Sequence, residues 1–400
     1  MKIVGITAEY NPFHNGHKYH LEQSKKLTGA DYAVAVMSGN FTQRGEPAVL
    51  DKWTRSRLAV QQGVDLVLEL PFVYACSRAE KFASGAVDIL KGIGASHISF
   101  GSESGDLDAL KSLVADMKNS EEAVEAALRD AMDKGFSYAK AQETAVAEVL
   151  GADRAALMLE PNNILSIEYL KRLIYWQERG QAPEAVTVRR YGSGYFDVND
   201  DMGFAGASVI RGMKDFEEIC RFASENVASA LQTAVPRSSI DEMMFRLIRS
   251  DIVRNSGSEL AEIYCMGEGL ENRLKKEIVR AKDLDQLINS VVSKRYTQAA
   301  VRRLLVYILL NIREREPGGA LYGRVLAAGP GGRKMLKELK KREISQIPLI
   351  TNINKEMELL SEEQQCTLHY DILASDMYNL ICGRDLYDFS DKVCRPYIEV

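Results

Sequence analysis

The sequence predicts an α/β fold. A doubly wound parallel sheet covers roughly the first 214 residues, and a mainly α-helical region with a small α/β unit follows. Three observations carry this prediction. Short β-branched, apolar runs alternate with helical patterns in the first half, five times before residue 192. Polar, glycine-containing loops follow several of those runs. Beyond about residue 215 the apolar positions recur at helical spacing instead.

The first strand is Ile3-Val4-Gly5-Ile6-Thr7, followed by a loop with the turn signal Asn11-Pro12. His14-Asn15-Gly16-His17 then opens a helical pattern from Lys18 to Leu27. Three of the five histidines fall within residues 14–20. A helix start carries unpaired N–H groups and the positive end of the dipole, so imidazoles placed there suit an anion, and Gly16 lets it approach the backbone. The bland alternative is a capping or surface histidine. Position argues for function, because ligands of such sheets lie at the carboxyl ends of the strands.

Tyr32–Met37 is the second strand, running into the polar loop Ser38–Gly45 with Arg44. Asp51 caps a helix to about Gly63, with Lys52, Arg55 and Arg57 near its start. Cations there oppose the dipole; they either point to solvent, the reading the sequence favours, or meet an anion. Asp65–Leu70 is the third strand, stopped by Pro71, and a helix begins near Ser77. His97–Phe100 is the fourth, ending in Gly101–Gly105. Residues 106–150 read as a charged helical insertion without chemistry. Asn162 and Asn163 open a helix to about Gln177, as caps or as readers of a nucleotide edge. Val186–Tyr191 is the fifth strand, with Arg190 and Tyr191 at its end. Phe204–Arg211 places small residues and Ser208 at a helix start with Arg211 about one turn on, an arrangement that can hold phosphate.

In the second half, Ser239 and Glu242 have capping-box spacing, and helices are expected over about 269–282 and 297–313. Residues 270–345 hold 18 Lys or Arg against 8 Asp or Glu, although the whole chain carries −5. Such asymmetry is the footprint of a polyanion. Lys294, Arg295, Arg302 and Arg303 are candidate phosphate contacts, and Tyr296 could stack on a base; the alternative is a solvated cap with a core tyrosine. Ile347–Thr351 is a further strand, after a glycine loop that lacks the Walker A pattern.

The 400 residues, 46% hydrophobic and 27% charged, allow two or three domains of ordinary soluble composition. No run approaches the ~20 apolar residues that span a bilayer, and no signal layout precedes the first strand, so the expected location is the cytoplasm. The six cysteines are scattered; Cys366 and His369 lack a second ligand pair, so no metal site is expected.

HNGH after a strand resembles the HxGH signature of the nucleotidyltransferase superfamily. Together with MSGNFTQRGEPA, KWTRSRLAVQQGVDLVLELP, FGSE, PNNILSIEYLKRL and SKRYTQAAVRRLLVYILL, the string GITAEYNPFHNGH resembles the bacterial tRNA(Met) cytidine acetate ligase family over nearly the full length. The resemblance implies a Rossmann-like nucleotidyltransferase (HUP) domain over 1–214 and a basic tRNA-binding region over 215–400. It implies acetate and ATP as substrates, acetyl adenylate as intermediate, and the wobble cytidine of elongator tRNA(Met) as acceptor. His14 and His17 would be catalytic. ATP contacts would come from Thr7, Ala8, Glu9, Tyr10, Asn11, Pro12, Phe13, His14, Asn15, Gly16, His17 and His20, and from Gly101, Asn162, Asn163, Arg190, Ser208 and Arg211. Mg²⁺ is expected with the nucleotide, without a carboxylate motif to mark its ligands. The FAGASVIR segment departs from the superfamily's ISSTxIR element, with Gly206 and Ala207 where hydroxyl residues are usual. Two rivals remain open. A cofactor-pathway adenylyltransferase would leave the basic second half unexplained, and a non-catalytic RNA-binding protein would leave His14, Gly16 and His17 unexplained.

Overall fold

A computed structural model describes residues 1–190, 198–199, 203–267, 269–313 and 321–399. The first half supplies β1 (Ile3–Ala8), β2 (Tyr32–Ser38), β3 (Leu66–Leu70), β4 (His97–Ser102) and β5 (Glu184–Arg189). They pair in parallel in the order β3-β2-β1-β4-β5. The strand order reverses at β1, the switch point where such sheets bind ligands.

Alternation along the strands sorts side chains onto two faces. Ile3, Val34, Val36, Leu68 and Phe100 pack with the helices Ala79–Gly92 and Pro161–Gln177. Val4, Ile6, Ala35, Met37 and Val67 pack with the helices Asn15–Thr28 and Lys52–Gln61. The insertion forms three helices, Leu107–Asn119, Glu121–Asp133 and Tyr138–Leu150. β6 (Val198–Asn199) and β7 (Phe204–Ala205) make a small antiparallel pair. Tyr191 lies outside the described residues.

In the second half the helices Arg237–Arg254, Leu270–Ile278, Leu284–Val291, Gln298–Leu309 and Glu362–Ile381 share one apolar core. Phe41, Phe72, Val73 and Cys76 belong to that core. They follow β2 and β3, so the helical body is seated on the carboxyl ends of those strands. The capping box expected at Ser239 does not form: the helix starts at Arg237 behind Pro236, which leaves Ser239 inside the first turn. The proline's fixed φ starts the helix early.

The small α/β unit is continuous with the main sheet. β8 (Gly323–Ala328) pairs antiparallel with β3, and β9 (Leu349–Ile350) and β10 (Tyr397–Ile398) add in parallel to β8. The sheet therefore draws strands from both sides of residue 214. None of the described helices is long and apolar enough to cross a membrane.

A buried ion cluster closes this junction. Lys52 Nζ lies 2.6 Å from Glu69 Oε1 and 2.7 Å from Asp391 Oδ2. Arg324 Nη1 lies 3.1 Å from Glu69 Oε2 and 2.7 Å from Asp391 Oδ2. Ser375 Oγ donates to Asp391 at 3.0 Å. Arg55 is also fully buried; it donates to the carbonyls of Glu9, Ser38, Gly39 and Leu50. Only Arg57 of the three cations near this helix start is exposed. The solvent-facing reading of Lys52 and Arg55 is thus overturned, because carboxylates and carbonyls from distant segments converge on them. Glu69 inside an otherwise apolar strand was the sequence sign: a buried carboxylate calls for a cation.

Candidate active site

The chain leaves β1 at Ala8 and enters a helix at Asn15, with His14 as N-cap in extended conformation. The two histidines cap reciprocally. His14 Nδ1 accepts the Gly16 N–H at 3.1 Å, and His17 Nδ1 accepts the His14 N–H at 3.3 Å. A nitrogen that accepts from a backbone amide carries no proton, so each neutral ring bears its hydrogen on Nε2. The rings lie 3.8 Å apart at 31°. Burial, then Arg190 and Arg211, push His14 down to about 3. Burial, then His14, Arg190 and His20, hold His17 well below the usual imidazole range. Both rings are therefore neutral N–H donors at pH 7, set where the helix dipole adds to their field.

The loop before them is scaffolding as much as ligand surface. Tyr10 and Phe13 are buried, and their rings lie 5.0 and 5.5 Å from that of His17. Ala8 and Pro12 are buried and Thr7 half-buried at the end of β1. Asn11 Oδ1 accepts the Val49 N–H at 2.8 Å, and its carbonyl accepts Arg211 Nη1 at 2.7 Å. Asn15 turns away from the site: its Nδ2 donates to the carbonyls of Gly203 and Arg221, each at 3.1 Å. His20 bonds Ser99 Oγ of β4 at 3.1 Å and is pushed down to about 4, chiefly by burial.

Toward β4 and β5 the structure brings Gly101 and Arg190 to the histidines. A Cβ on Gly101 would lie 3.0 Å from Arg190 Cγ, so glycine lets the arginine side chain lie across the strand end. Asn162 and Asn163 are both engaged by Glu103. Glu103 accepts from Asn162 Nδ2 at 2.6 Å and from the Asn163 N–H at 2.9 Å, while Asn163 Oδ1 accepts the Glu103 N–H at 3.1 Å. This reciprocal lock caps the helix Pro161–Gln177 and fixes the loop after β4. Ser208 is half-buried in the short helix Ala207–Gly212, from which Arg211 reaches the Asn11 carbonyl.

Toward β2 and β3 lies a carboxylate. Glu9 Oε1 accepts the Gln43 N–H at 2.7 Å. Burial raises its pKa, against the pull of the Gln43 bond and of Arg55, Arg211 and Arg44. The same loop receives the helical half. Arg303 Nη1 donates to the Gln43 carbonyl at 3.1 Å, and Arg302 pairs with Glu46 at 3.6 Å and Asp285 at 3.5 Å. Gly45 has φ 76°, and a Cβ there would lie 2.4 Å from Arg303 N. Arg302 and Arg303 thus bind the chain to itself, and Tyr296 packs on the helical core with its hydroxyl over Gly267. Of the expected RNA contacts only Lys294 and Arg295 are exposed; Lys294 Nζ lies 4.1 Å over the Phe136 ring of the insertion, and Arg295 reaches the Met132 carbonyl at 3.5 Å. Among the described residues no group of three His, Cys, Asp or Glu side chains is arranged to hold a metal ion.

Residues 1–390 match the HIGH Nucleotidyl Transferase family model. The chain is 40% identical over 395 residues, 95% of each protein, to the tRNA(Met) cytidine acetate ligase of Thermoanaerobacter sp. (strain X514). It is 37% identical over 383 residues, 95% of this chain and 96% of the relative, to that of Limosilactobacillus reuteri. The crystal structure of Thermotoga maritima TmcAL bound with alpha-thio ATP superimposes over 100% of both chains with a TM-score of 0.87 at 27% identity. The chain therefore belongs to the HIGH nucleotidyl transferases and, within them, to the tRNA(Met) cytidine acetate ligase family.

Proposed function

We propose that the protein joins acetate to the exocyclic amine of the wobble cytidine of elongator tRNA(Met) at the expense of ATP. The observation that carries this reading is the kinship along the whole chain, 40% identity over 395 residues, to relatives that bear that activity in their name. The site supports it chemically. In the first step an acetate oxygen bonds to the α-phosphorus, and the bond to pyrophosphate breaks. Charge develops on the phosphate oxygens, so the step needs placed donors more than a base. His14 and His17 would donate through Nε2–H, with Gly101 and Arg190 on one side and Arg211 on the other. In the second step the cytidine amine attacks the acetyl carbon and AMP leaves. Magnesium would arrive with ATP as part of the substrate, keeping several of its waters. The helical half would present the RNA, with Lys294 and Arg295 as its exposed phosphate contacts, and the reaction would take place in the cytoplasm.

Pyrophosphate exchange into ATP tests this reading. Exchange should require acetate, and labelled acetate should then enter tRNA(Met). Exchange that ignores acetate, or that responds to a small phosphorylated acceptor instead, would point to a cofactor-pathway adenylyltransferase.

A further inference from the structure

We propose that Glu9 is the general base of the acetyl-transfer step. The inference rests on the reading above and adds a residue to its second half-reaction. The histidines stand at the end of β1, and the two sides of that strand differ. Toward β4 and β5 lie Gly101 and Arg190. Toward β2 and β3 lie Glu9 and Gln43, beneath the helix Gln298–Leu309 that carries Arg303. The helical body is seated on this second side through Phe41, Phe72 and Cys76. An RNA presented by that body meets the histidines from the side of Glu9.

The carboxylate is held firmly. Its Oε1 accepts the Gln43 N–H at 2.7 Å, while Gln43 Nε2 donates to the Ser77 carbonyl at 3.1 Å and the Gln43 carbonyl accepts Arg303 at 3.1 Å. Among the described residues no hydrogen bond reaches Oε2 and no ion pair engages the group. Arg55, Arg211 and Arg44 face it, as do Cys76 and Tyr169. Burial makes it more basic than an ordinary glutamate.

The chemistry needs such a group. The lone pair of cytidine's exocyclic amine is delocalised into the ring, so the nitrogen is a weak nucleophile. As its bond to the acetyl carbon forms, the nitrogen gains positive charge and must shed a proton. The carbonyl re-forms as the bond from carbon to the adenylate oxygen breaks, and AMP leaves with that electron pair. The proton passes from nitrogen to Glu9 Oε2. Positioned bases contribute about 10²–10⁴-fold.

The test compares the two half-reactions in Glu9→Gln, which keeps an oxygen for the Gln43 N–H. Transfer from enzyme-bound acetyl adenylate to tRNA(Met), in a single turnover, should slow about 10²–10⁴-fold. Acetate-dependent exchange should slow at least tenfold less, as an order-of-magnitude margin. In the wild type, transfer should fall on acidification as Glu9 takes up a proton, and Glu9→Gln should lose that dependence. Equal losses in both half-reactions would leave Glu9 only the nucleotide contact that the resemblance implies and overturn the proposal. So would an unchanged transfer rate, or a wild-type transfer rate that does not fall on acidification. A wild type without acetate-dependent exchange would instead overturn the proposed function itself.

Discussion

Two clusters of buried titratable side chains stand on the same sheet edge, and burial acts on them in opposite ways. Lys52, Glu69, Arg324 and Asp391 are withdrawn from water but matched in charge, each cation facing two carboxylates within 3.1 Å. Asp391 is held down to about 2 by Arg324 and Lys52 in spite of its burial. Among the described residues no carboxylate pairs with His14 or His17, and the cations Arg190 and Arg211 stand near, so burial empties them of charge. A closed set of opposite charges fastens the two halves of the chain together. An open pair of neutral donors keeps its hydrogen-bonding capacity for a ligand whose charge appears during reaction.

That contrast breaks most visibly at Asp391. Asp391→Asn leaves two buried cations facing one carboxylate and should cost about 3–5 kcal/mol, read as a lower denaturant midpoint. An unchanged midpoint would mean that the cluster is not the fastening. His17→Ala should lower acetate-dependent exchange about 10²–10³-fold, with tRNA affinity retained; loss of affinity instead would move His17 out of the nucleotide site. Gly45→Ala meets both a left-handed backbone and the Arg303 main chain at 2.4 Å. It should cost roughly 1–3 kcal/mol, and an unchanged melting temperature would show that the loop and helix are not tightly docked. Charge reversal at Lys294 and Arg295 should weaken tRNA binding, reduce its salt dependence by about two ion equivalents and spare adenylate formation. If binding is unaffected, the RNA surface lies elsewhere.

Acid should separate the clusters too. His14 titrates at about 3 in the folded chain and near 6.5 when unfolded. The unfolded chain therefore binds more protons between those values, and the histidines' contribution to stability is lost as pH falls through that window.

The histidine site was legible because it is contiguous: strand, loop, HNGH and helix fall within one short stretch, and the strand order that places Gly101 and Arg190 beside it follows from regular α/β alternation. Of the ion cluster only Glu69 showed in the sequence, as a carboxylate inside an apolar strand; its partners did not. Lys52, Arg324 and Asp391 lie 17, 255 and 322 residues from Glu69, and the last two reach it only after the chain has traversed the helical half. The same distance effect disguised Arg302 and Arg303. On sequence they are two cations in a basic run; in the fold Glu46, Asp285 and the Gln43 carbonyl claim them. Asn162 and Asn163 were ambiguous between cap and ligand; the helix starts at Pro161 behind Glu160, so neither is its N-cap, and it is Glu103, some 60 residues earlier, that holds both.

The claim that the HNGH imidazoles act as neutral donors is open to direct measurement by nitrogen-15 NMR of His14 and His17 across pH. The structure predicts an unprotonated Nδ1 and a protonated Nε2 in both rings, unchanged from about pH 8 to about pH 5. A ring that takes up a proton near its ordinary value of about 6.5, or one that carries its hydrogen on Nδ1, would contradict it.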